Sequence, residues 1–590
     1  MNGLPRTPNQ PASGDPYGPD TDGAVPLQGA AMQSVAACRL RVSLIALAFG
    51  ALFTVLGARL VDVTLINASL EPTLARTART SDGTAAIGLP HMSRASIVDR
   101  NGALLATNIN AASLYANPSI MPNPAEAAEA LHGILPDIEL NRLRRKLRTK
   151  SQFVWLKRGL TPRQQAAVNG LGIPGLEFQE EERRIYPYGA LAAHVLGFTS
   201  IDNNGIAGVE KTFDGRLSHP KSGDDQLVLS IDIRLQHAVR EELDEARRTF
   251  KAIGAAGLVL DVANSQVLAL VSLPDFDPNL PRDATKEALF NRVTLGVYEM
   301  GSTFKTFTTA MALDSGAVRM TGGYDATKPL RAARFIIRDY HAKRRWLSVP
   351  EIYMYSSNIG AAKMAAAVGT AGQQEFLGRL GLLKKPSIEL PEVSAPILPS
   401  QWHEIETLTI AFGHGLSVSI LQMASAAATV VNGGMQVQPT LLLDPVAKPQ
   451  RRVLDRKTSD QVRRLMRLVV AQGTGRRAAA PGYVVGGKTG TAEKAKDGGY
   501  DREALLTSFV GAFPMTTPRY VVVVMLDEPR GNRQTKGRAT ASLTAAPVVG
   551  RIVSRIAPLL GVAPVDEDSD AIREKLKVRI NSRDPRVATF

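Results

Sequence analysis

Apolar runs interrupted by turn-forming residues predict three β-hairpins in this chain. The first hairpin surrounds Asn101-Gly102, the second surrounds residues 263–265, and the third surrounds Thr517-Pro518-Arg519. In each case the turn separates two short apolar runs, as in neighbouring strands that pair through a tight connection. The last two hairpins lie towards the two ends of one long segment, so we expect their strands to share an antiparallel sheet.

Between and after these hairpins the apolar residues follow helical spacing. One helix is predicted after Asp232, through Leu235 and Val239, and another over residues 545–560. The segment between the second and third hairpins is rich in helical patterns. One antiparallel sheet with helices on its faces, an α+β fold, accounts for this part of the chain.

An uncharged apolar run, residues 42–58, lies near the N-terminus and can extend through Leu60 and Val61. The combined length predicts a single transmembrane helix over residues 42–61. Arg39 and Arg41 precede it and favour a cytoplasmic N-terminus, with the rest of the chain exported. A signal peptide cleaved directly after the apolar run is the alternative interpretation.

Composition divides the 590 residues into five segments. Residues 1–41 are rich in Pro, Gly, Ala and Asp and are predicted to be a disordered cytoplasmic tail. The anchor at residues 42–61 precedes a mixed α/β domain at residues 62–225, which ends in a polar stretch containing Pro and Gly. Residues 226–562 form the α+β domain, and the charged residues 563–590 form a flexible tail.

A formal net charge of +15 favours an anionic partner, such as nucleic acid, an acidic membrane surface or an anionic polymer. The chain has no nucleic-acid-binding motif, and with 5% aromatic residues it lacks the means for a base-stacking surface. The densest basic run, residues 142–150, has Leu143 and Leu147 one helical turn apart. It predicts an amphipathic helix with a solvated basic face, and no nucleic-acid partner.

Three short motifs in the α+β domain suggest serine chemistry: Ser302-Thr303-Phe304-Lys305, Ser356-Ser357-Asn358 and Lys488-Thr489-Gly490-Thr491. On a helix, Ser302 and Lys305 share one face, so the amine can take the proton of the serine hydroxyl. The amine must then be neutral, and burial beside a second cation such as Lys488 lowers a lysine pKa. A helix that starts near Ser302 also points backbone N–H groups at a developing oxyanion.

The second and third motifs supply the rest of an acyl-transfer site. Ser356 would relay a proton between Lys305 and a leaving amine, while Asn358 would offer its amide to a substrate backbone. Gly486-Gly487 allow a peptide to approach the third motif closely as an added strand. The groups there that suit a terminal carboxylate are the Lys488 amine and the hydroxyls of Thr489 and Thr491.

Each motif alone fits an ordinary helix cap, polar loop or glycine-rich turn, and a chance copy, Ser218-His219-Pro220-Lys221, lies in a polar linker. All three in order, in one exported domain, favour the enzyme.

The chain also resembles a known family, the class B penicillin-binding proteins, and is most similar to the division-specific (septal, FtsI-type) transpeptidases. The resemblance runs from about residue 94 to about residue 560 and includes pieces outside the three motifs: Asp99-Arg100-Asn101-Gly102, Arg184-Ile185-Tyr186-Pro187, Gly208-Val209-Glu210-Lys211, Phe412-Gly413-His414-Gly415 and Gly473-Thr474-Gly475. The chain departs from the family at Met300, usually proline, and at Ala95, usually glycine.

This resemblance implies a penicillin-binding transpeptidase fold preceded by a non-catalytic, dimerisation-like pedestal, without a metal or another cofactor. Ser302 would attack the penultimate D-Ala carbonyl of a peptidoglycan stem peptide, and the amine of a neighbouring stem peptide would take the acyl group. Backbone N–H groups of Ser302 and Thr491 would form the oxyanion hole, and Gly490 would belong to the substrate-binding strand. β-Lactams would acylate Ser302 as covalent inhibitors.

The resemblance also implies partners and a location. A membrane glycosyltransferase of the shape, elongation, division and sporulation family and other divisome proteins are the expected partners. The expected location is the inner membrane, with one span, a cytoplasmic N-terminus and a periplasmic catalytic domain. Three alternatives stay open: an elongation-type class B enzyme, a β-lactamase or β-lactam sensor, and a non-catalytic scaffold.

Overall fold

The computed structural model describes residues 93–222, 225–332, 335–445, 451–496 and 499–580, together with six residues between 47 and 54. The chain divides into two compact units, Met1–His91 and Met92–Phe590. In the first unit the six described residues are helical, and the predicted tail and most of the predicted anchor lie outside the described residues. Within the part of the chain that the structure describes, no helix combines the length and apolarity needed to cross a membrane.

A five-stranded sheet organises the N-terminal half of the second unit. Its long central strand pairs antiparallel with three neighbours, and the first strand also pairs parallel with the last. The strands are β1 (Ser96–Val98), β2 (Leu104–Ala116), β3 (Val154–Leu160), β4 (Leu176–Ile185) and β5 (Gln226–Val228). The β1–β2 turn confirms the first predicted hairpin, and β5 brings into this sheet a strand from the segment assigned to the α+β domain.

The helices described in this half are α1 (Pro124–Ile134), α2 (Leu140–Leu147), α3 (Pro162–Asn169), α4 (Ala193–Leu196), α5 (Gly208–Thr212) and α6 (Asp214–Ser218). The predicted basic amphipathic helix is α2. Leu143 and Leu147 are buried in a core shared with β2 and β3, whereas Arg142 and Arg145 are exposed.

A buried ion network joins distant segments of this half. The Glu210 side chain is 0% exposed and binds Arg94 and Arg184, each through an N···O distance of 2.7 Å. Arg94 also pairs with Asp214 at 2.8 Å. Two sequence pieces that mark the family resemblance, residues 184–187 and 208–211, therefore meet with Arg94 at one carboxylate.

A second five-stranded sheet, antiparallel throughout, organises the C-terminal half in the order β14-β15-β16-β6-β7. Its strands are β6 (Gly254–Asp261), β7 (Val267–Leu273), β14 (Gly486–Lys496), β15 (Gly499–Phe513) and β16 (Tyr520–Asp527). The second and third predicted hairpins are β6–β7 and β15–β16. Pairing of β16 with β6 joins them into the single sheet that the sequence predicted.

Shorter strands between β7 and β14 form three antiparallel pairs. They are β8 (Tyr298–Glu299) with β13 (Ser417–Val418), β9 (Gly323–Asp325) with β12 (Trp346–Ser348), and β10 (Leu330–Ala332) with β11 (Phe335–Ile337).

The helices described in this half are α7 (Ile233–Thr249), α8 (Lys286–Leu289), α9 (Lys305–Asp314), α10 (Val349–Tyr355), α11 (Asn358–Val368), α12 (Thr370–Arg379), α13 (Glu404–Ile410), α14 (Ile420–Val431), α15 (Arg456–Ala471), α16 (Ala545–Leu559) and α17 (Asp570–Leu576).

Helices cover both faces of the second sheet. Side chains alternate along β6, so Leu258 and Leu260 join one core with α9 and α14, whereas Val259 joins another core with α7 and α16. The α+β prediction for this half is confirmed, and the first core extends to the turn that carries Ser302.

Replacing Glu210 with alanine should lower the free energy of unfolding by about 3–5 kcal/mol, because two buried arginines would lose their carboxylate. Urea unfolding of the purified protein measures this change. Glu129→Ala is the control, since the Glu129–Arg144 pair is exposed and its loss should cost less than about 1 kcal/mol. Equal effects of the two substitutions would contradict a stabilising role for the buried network.

Candidate active site

Ser302 lies in a 3₁₀ turn, Gly301–Phe304, that leads directly into α9. Gly301 has a φ of 53°, and a Cβ at this position would lie 2.8 Å from the carbonyl oxygen of Thr491. A side chain is excluded by both the backbone conformation and the close approach. Phe304 and Phe307 are fully buried behind the turn, with ring centroids 5.3 Å apart, and fix its position.

Lys305 is the centre of the site and is almost completely buried, with 1% of its surface exposed. Its Nζ lies 2.9 Å from Ser302 Oγ, 3.1 Å from Ser356 Oγ, 2.7 Å from the Ser356 carbonyl oxygen and 2.7 Å from Asn358 Oδ1. These four contacts exceed the three protons of an ammonium group. A neutral amine also makes three hydrogen bonds: its lone pair accepts the Ser302 proton, and its two protons go to the Ser356 carbonyl oxygen and Asn358 Oδ1.

The electrostatics favour that neutral amine. Burial holds the pKa of Lys305 well below its ordinary value, the cation of Lys488 lowers it further, and Asp339 opposes both effects. Burial also lowers the pKa of Lys488 to about 7. The structure therefore supports the expectation that Lys488 acts as the second cation beside Lys305.

Ser356 links the two lysines. Its Oγ accepts a hydrogen bond from Lys488 Nζ at 2.9 Å and lies 3.1 Å from Lys305 Nζ. The residue follows α10 in the left-handed conformation, with a φ of 62°, which costs a non-glycine residue about 1–2 kcal/mol. This geometry places one hydroxyl between two amines, as a proton relay requires.

Asn358, at the first turn of α11, is held at both ends of its amide. Oδ1 accepts from Lys305 Nζ, and Nδ2 donates to the carbonyl oxygen of Arg338 at 3.0 Å. One amide proton stays available for the substrate contact that the sequence predicts. The side chain also orients Lys305, a role that the sequence interpretation did not include.

The strand β14 carries Lys488, Thr489, Gly490 and Thr491 past the Ser302 turn. A Cβ on Gly490 would lie 2.5 Å from the Met300 carbonyl oxygen, so glycine permits this close approach. Among the described residues, β14 pairs along one side, with β15, and forms an edge of the sheet. A peptide could therefore add to the strand beside Ser302.

Both threonine hydroxyls predicted to bind substrate have protein partners. Thr489 Oγ1 shares a hydrogen bond of 2.7 Å with Thr474 Oγ1, and Thr491 Oγ1 accepts from the backbone N–H of Ala541 at 3.0 Å. Thr474 lies in Gly473-Thr474-Gly475, a piece of the family resemblance to which the sequence analysis assigned no function. No pattern in the sequence marked Ala541.

Asp339 is the main site residue that sequence reasoning missed. Its Oδ2 accepts from Ser357 Oγ at 2.8 Å, and its Oδ1 accepts from the backbone N–H of Ile359 at 3.0 Å. These bonds straddle Asn358 and fix the second motif. Asp339 follows the β10–β11 hairpin in a polar stretch that carries no motif, so its role appears only when the chain is folded.

The glycine-rich piece at residues 412–415 packs against the Ser302 turn. The Gly301 N–H donates to the Gly413 carbonyl oxygen at 3.2 Å, and Glu299 Oε1 accepts from the Gly415 N–H at 2.8 Å. Burial is the main cause that lowers the pKa of His414 to about 4, so its imidazole is neutral near neutral pH. This piece therefore supports the Ser302 turn without adding a charge.

Comparison with protein families gives two matches. Residues 91–230 match the penicillin-binding protein dimerisation domain, and residues 255–553 match the penicillin-binding protein transpeptidase domain. The second match contains all three motifs.

Relatives that match 80% of the chain agree. The probable peptidoglycan D,D-transpeptidase FtsI of Caulobacter vibrioides is 38% identical over 482 residues, which cover 80% of this chain and 82% of the relative. Peptidoglycan D,D-transpeptidase FtsI of Escherichia coli K12 is 31% identical over 80% of this chain and 84% of its own.

Solved structures share the fold. Penicillin-binding protein 3 of Mycobacterium tuberculosis, complexed with aztreonam, superimposes with a TM-score of 0.64 at 23% identity, covering 80% of this chain and 97% of that one. A peptidoglycan synthetase of Bifidobacterium adolescentis gives the same TM-score of 0.64 over 82% of this chain and 98% of that one.

Replacing Asp339 with asparagine should slow acylation of Ser302 by a β-lactam about tenfold at neutral pH, because an amide cannot accept both hydrogen bonds. Loss of the negative charge also lowers the pKa of Lys305 further. The acid limb of the plot of acylation rate constant against pH should therefore move to lower pH.

Stopped-flow acylation across a pH series measures both effects. Asp325→Asn, at an exposed aspartate on β9, should leave the rate and the profile as in the unsubstituted protein. A slower rate with an unmoved acid limb would show that Asp339 acts through packing alone.

Proposed function

This chain belongs to the class B penicillin-binding proteins of the FtsI type, and we propose that it is a peptidoglycan D,D-transpeptidase that works through an acyl-enzyme on Ser302. One observation carries the assignment to Ser302: a buried, low-pKa Lys305 lies 2.9 Å from its hydroxyl and shares Ser356 with Lys488. A serine hydroxyl needs such a base to become a useful nucleophile.

In the acylation half-reaction, Lys305 takes the Ser302 proton while Oγ attacks the penultimate D-Ala carbonyl of a donor stem peptide. The negative charge that forms on the carbonyl oxygen is stabilised by the backbone N–H groups of Ser302 and Thr491. The carbonyl–nitrogen bond then breaks. Terminal D-Ala leaves with a proton that passes from Lys305 through the Ser356 hydroxyl.

In the second half-reaction, the amine of a neighbouring stem peptide attacks the Ser302 ester. The amine gives up its proton to the Ser356–Lys305 pair, and a new amide bond forms. The ester bond breaks as Ser302 Oγ recovers a proton from Lys305. Atoms and charges balance over the cycle, in which one peptide bond is exchanged for another.

Substrate binding rests on β14. A donor peptide pairs with its free edge, and Lys488 with the neighbouring Thr489 receives the terminal carboxylate. The carboxylate helps to keep Lys488 protonated, because an anionic partner raises the pKa of a cation. Gly490 keeps the strand close enough for the scissile carbonyl to reach Ser302.

The cellular role follows from the FtsI-type relatives, and we place the enzyme in septal wall synthesis during division. A β-lactamase would instead have to hydrolyse its ester rapidly with a positioned water. The dimerisation domain and the match to transpeptidases over both domains favour cross-linking.

We also propose that the enzyme is attached to the membrane. The uncharged run at residues 42–61, preceded by Arg39 and Arg41, is proposed as a single span with a cytoplasmic N-terminus and a periplasmic catalytic domain at the inner membrane. The proposed partners are a membrane glycosyltransferase of the shape, elongation, division and sporulation family and other divisome proteins. Such a glycosyltransferase would make the glycan strands that this enzyme cross-links.

Incubation with benzylpenicillin should leave a stable adduct of one inhibitor mass on the protein, and Ser302→Ala should abolish it. Intact-protein mass spectrometry measures the adduct. Ser218→Ala is the matched control, because Ser218 begins the chance Ser-x-x-Lys copy and should still allow the adduct. A folded protein without an adduct would refute the proposal, and an adduct that disappears within minutes would identify a β-lactamase.

A fluorescent fusion to the N-terminus should gather at midcell in dividing cells, because septal synthesis takes place there. Fluorescence microscopy of a strain with the fusion as its sole copy measures the distribution. Even labelling of the sidewall throughout the cell cycle would identify the elongation-type enzyme instead.

A further inference from the structure

A loop rich in cations follows β16. Residues 530–538, here called the cationic loop, contain the exposed side chains of Arg530, Arg533, Lys536 and Arg538. Within the described part of the chain, none of these four side chains has an ion-pair or hydrogen-bond partner. Four unpaired cations within nine residues form a locally positive surface.

The cationic loop has a defined conformation. Asn532 and Thr535 exchange hydrogen bonds of 2.9 and 3.0 Å between their backbone N–H groups and side-chain oxygens. The Gly537 N–H donates to the Asn532 carbonyl oxygen at 2.9 Å, and a Cβ on Gly531 would lie 2.1 Å from the Gly537 carbonyl carbon. The cations therefore project from a closed turn whose backbone is already ordered, so binding a ligand costs little backbone entropy.

Nearby acidic residues do not neutralise this surface. Asp527 and Glu528, which are separated from it by Pro529, both bind Lys494 on β14, with N···O distances of 2.9 and 2.7 Å. The positive charge of the cationic loop thus stays available to an external anion.

The cationic loop lies beside the active site. The Ala541 N–H donates to Thr491 Oγ1, and the Thr491 carbonyl oxygen contacts Gly301 in the Ser302 turn. Arg538 is three residues before Ala541, so their Cα atoms are separated by at most about 11 Å. A substrate lying along β14 past Thr491 would come within reach of these long side chains.

We propose that the cationic loop is an anion-binding surface that recognises carboxylates of the peptidoglycan other than the terminal carboxylate of the donor peptide. Arginine forms paired hydrogen bonds with carboxylates, and three of the four cations are arginines. The substrate of a transpeptidase is a polymer of carboxylate-bearing peptides, which makes it complementary to this surface. The inference rests on the proposed function and adds a substrate preference to it.

The test compares two synthetic donor peptides that both end in D-Ala-D-Ala and differ at one side carboxyl group, which is free in one and a carboxamide in the other. The full-length protein in detergent should show a kcat/KM for D-Ala release at least about tenfold higher with the free carboxylate. The triple variant Arg533→Gln, Lys536→Gln, Arg538→Gln should bring that ratio to about one. Added salt should reduce the ratio in the unsubstituted protein, because exposed charges are screened.

The control variant removes the same number of charges elsewhere. Arg142→Gln, Arg145→Gln, Arg148→Gln changes exposed cations on and after α2, in the N-terminal half, and should keep the ratio of the unsubstituted protein. A fall in the ratio equal to that of the cationic-loop variant would reduce the effect to net charge and overturn the proposal.

Benzylpenicillin distinguishes a failure of the proposed function from a failure of the cationic-loop proposal. An unsubstituted protein that forms no adduct would overturn the proposed function. An unsubstituted protein that forms the adduct but treats both peptides equally would overturn the cationic-loop proposal alone. Sedimentation with vesicles of anionic phospholipid adds a further outcome: loss of vesicle binding in the cationic-loop variant, with an unchanged peptide ratio, would assign the surface to the membrane.

Discussion

Burial of two lysine side chains within reach of one serine hydroxyl is the constraint on which the rest of the site depends. A buried ammonium group is unstable without partners, so the protein either supplies acceptors or lets the group lose its proton. Around Lys305 it does both, with Ser356 and Asn358 as acceptors and Lys488 as a repelling neighbour. The same desolvation that would destabilise a charged Lys305 therefore turns its amine into a base.

Three elements must converge to create this burial. The turn before α9 brings Ser302, the junction of α10 and α11 brings Ser356 in a left-handed conformation, and the edge strand β14 brings Lys488. Gly301 and Gly490 set how closely the turn and the strand approach. The sheet and its two cores hold these elements at distances that a single methyl group would disturb.

Much of this arrangement was predictable because it is encoded locally. Turn residues between apolar runs predicted the hairpins of the second sheet, and leucine spacing predicted α2. The three motifs predicted a shared site for a set of residues that the fold does bring together: Ser302, Lys305, Ser356, Asn358 and Lys488. The catalytic roles of these residues stay predictions. Asp339 could not be predicted, since its contacts with Ser357 and Ile359 arise from a fold that returns the chain across 18 and 20 residues. The convergence of Arg94, Arg184 and Glu210 was hidden in the same way, and the predicted anchor lies largely outside the described residues.

The free edge of β14 has a consequence for solubility. Unpaired backbone groups on an exposed strand attract strands of other molecules, and proteins usually cover such edges or place lysines on them. This enzyme needs its edge open to receive a peptide, so covering it would abolish the site. Gly486, Gly487 and Gly490 lie on that strand, and without side chains they offer a second hydrophobic strand little surface to pack against. The residues that receive a substrate thus also guard against aggregation.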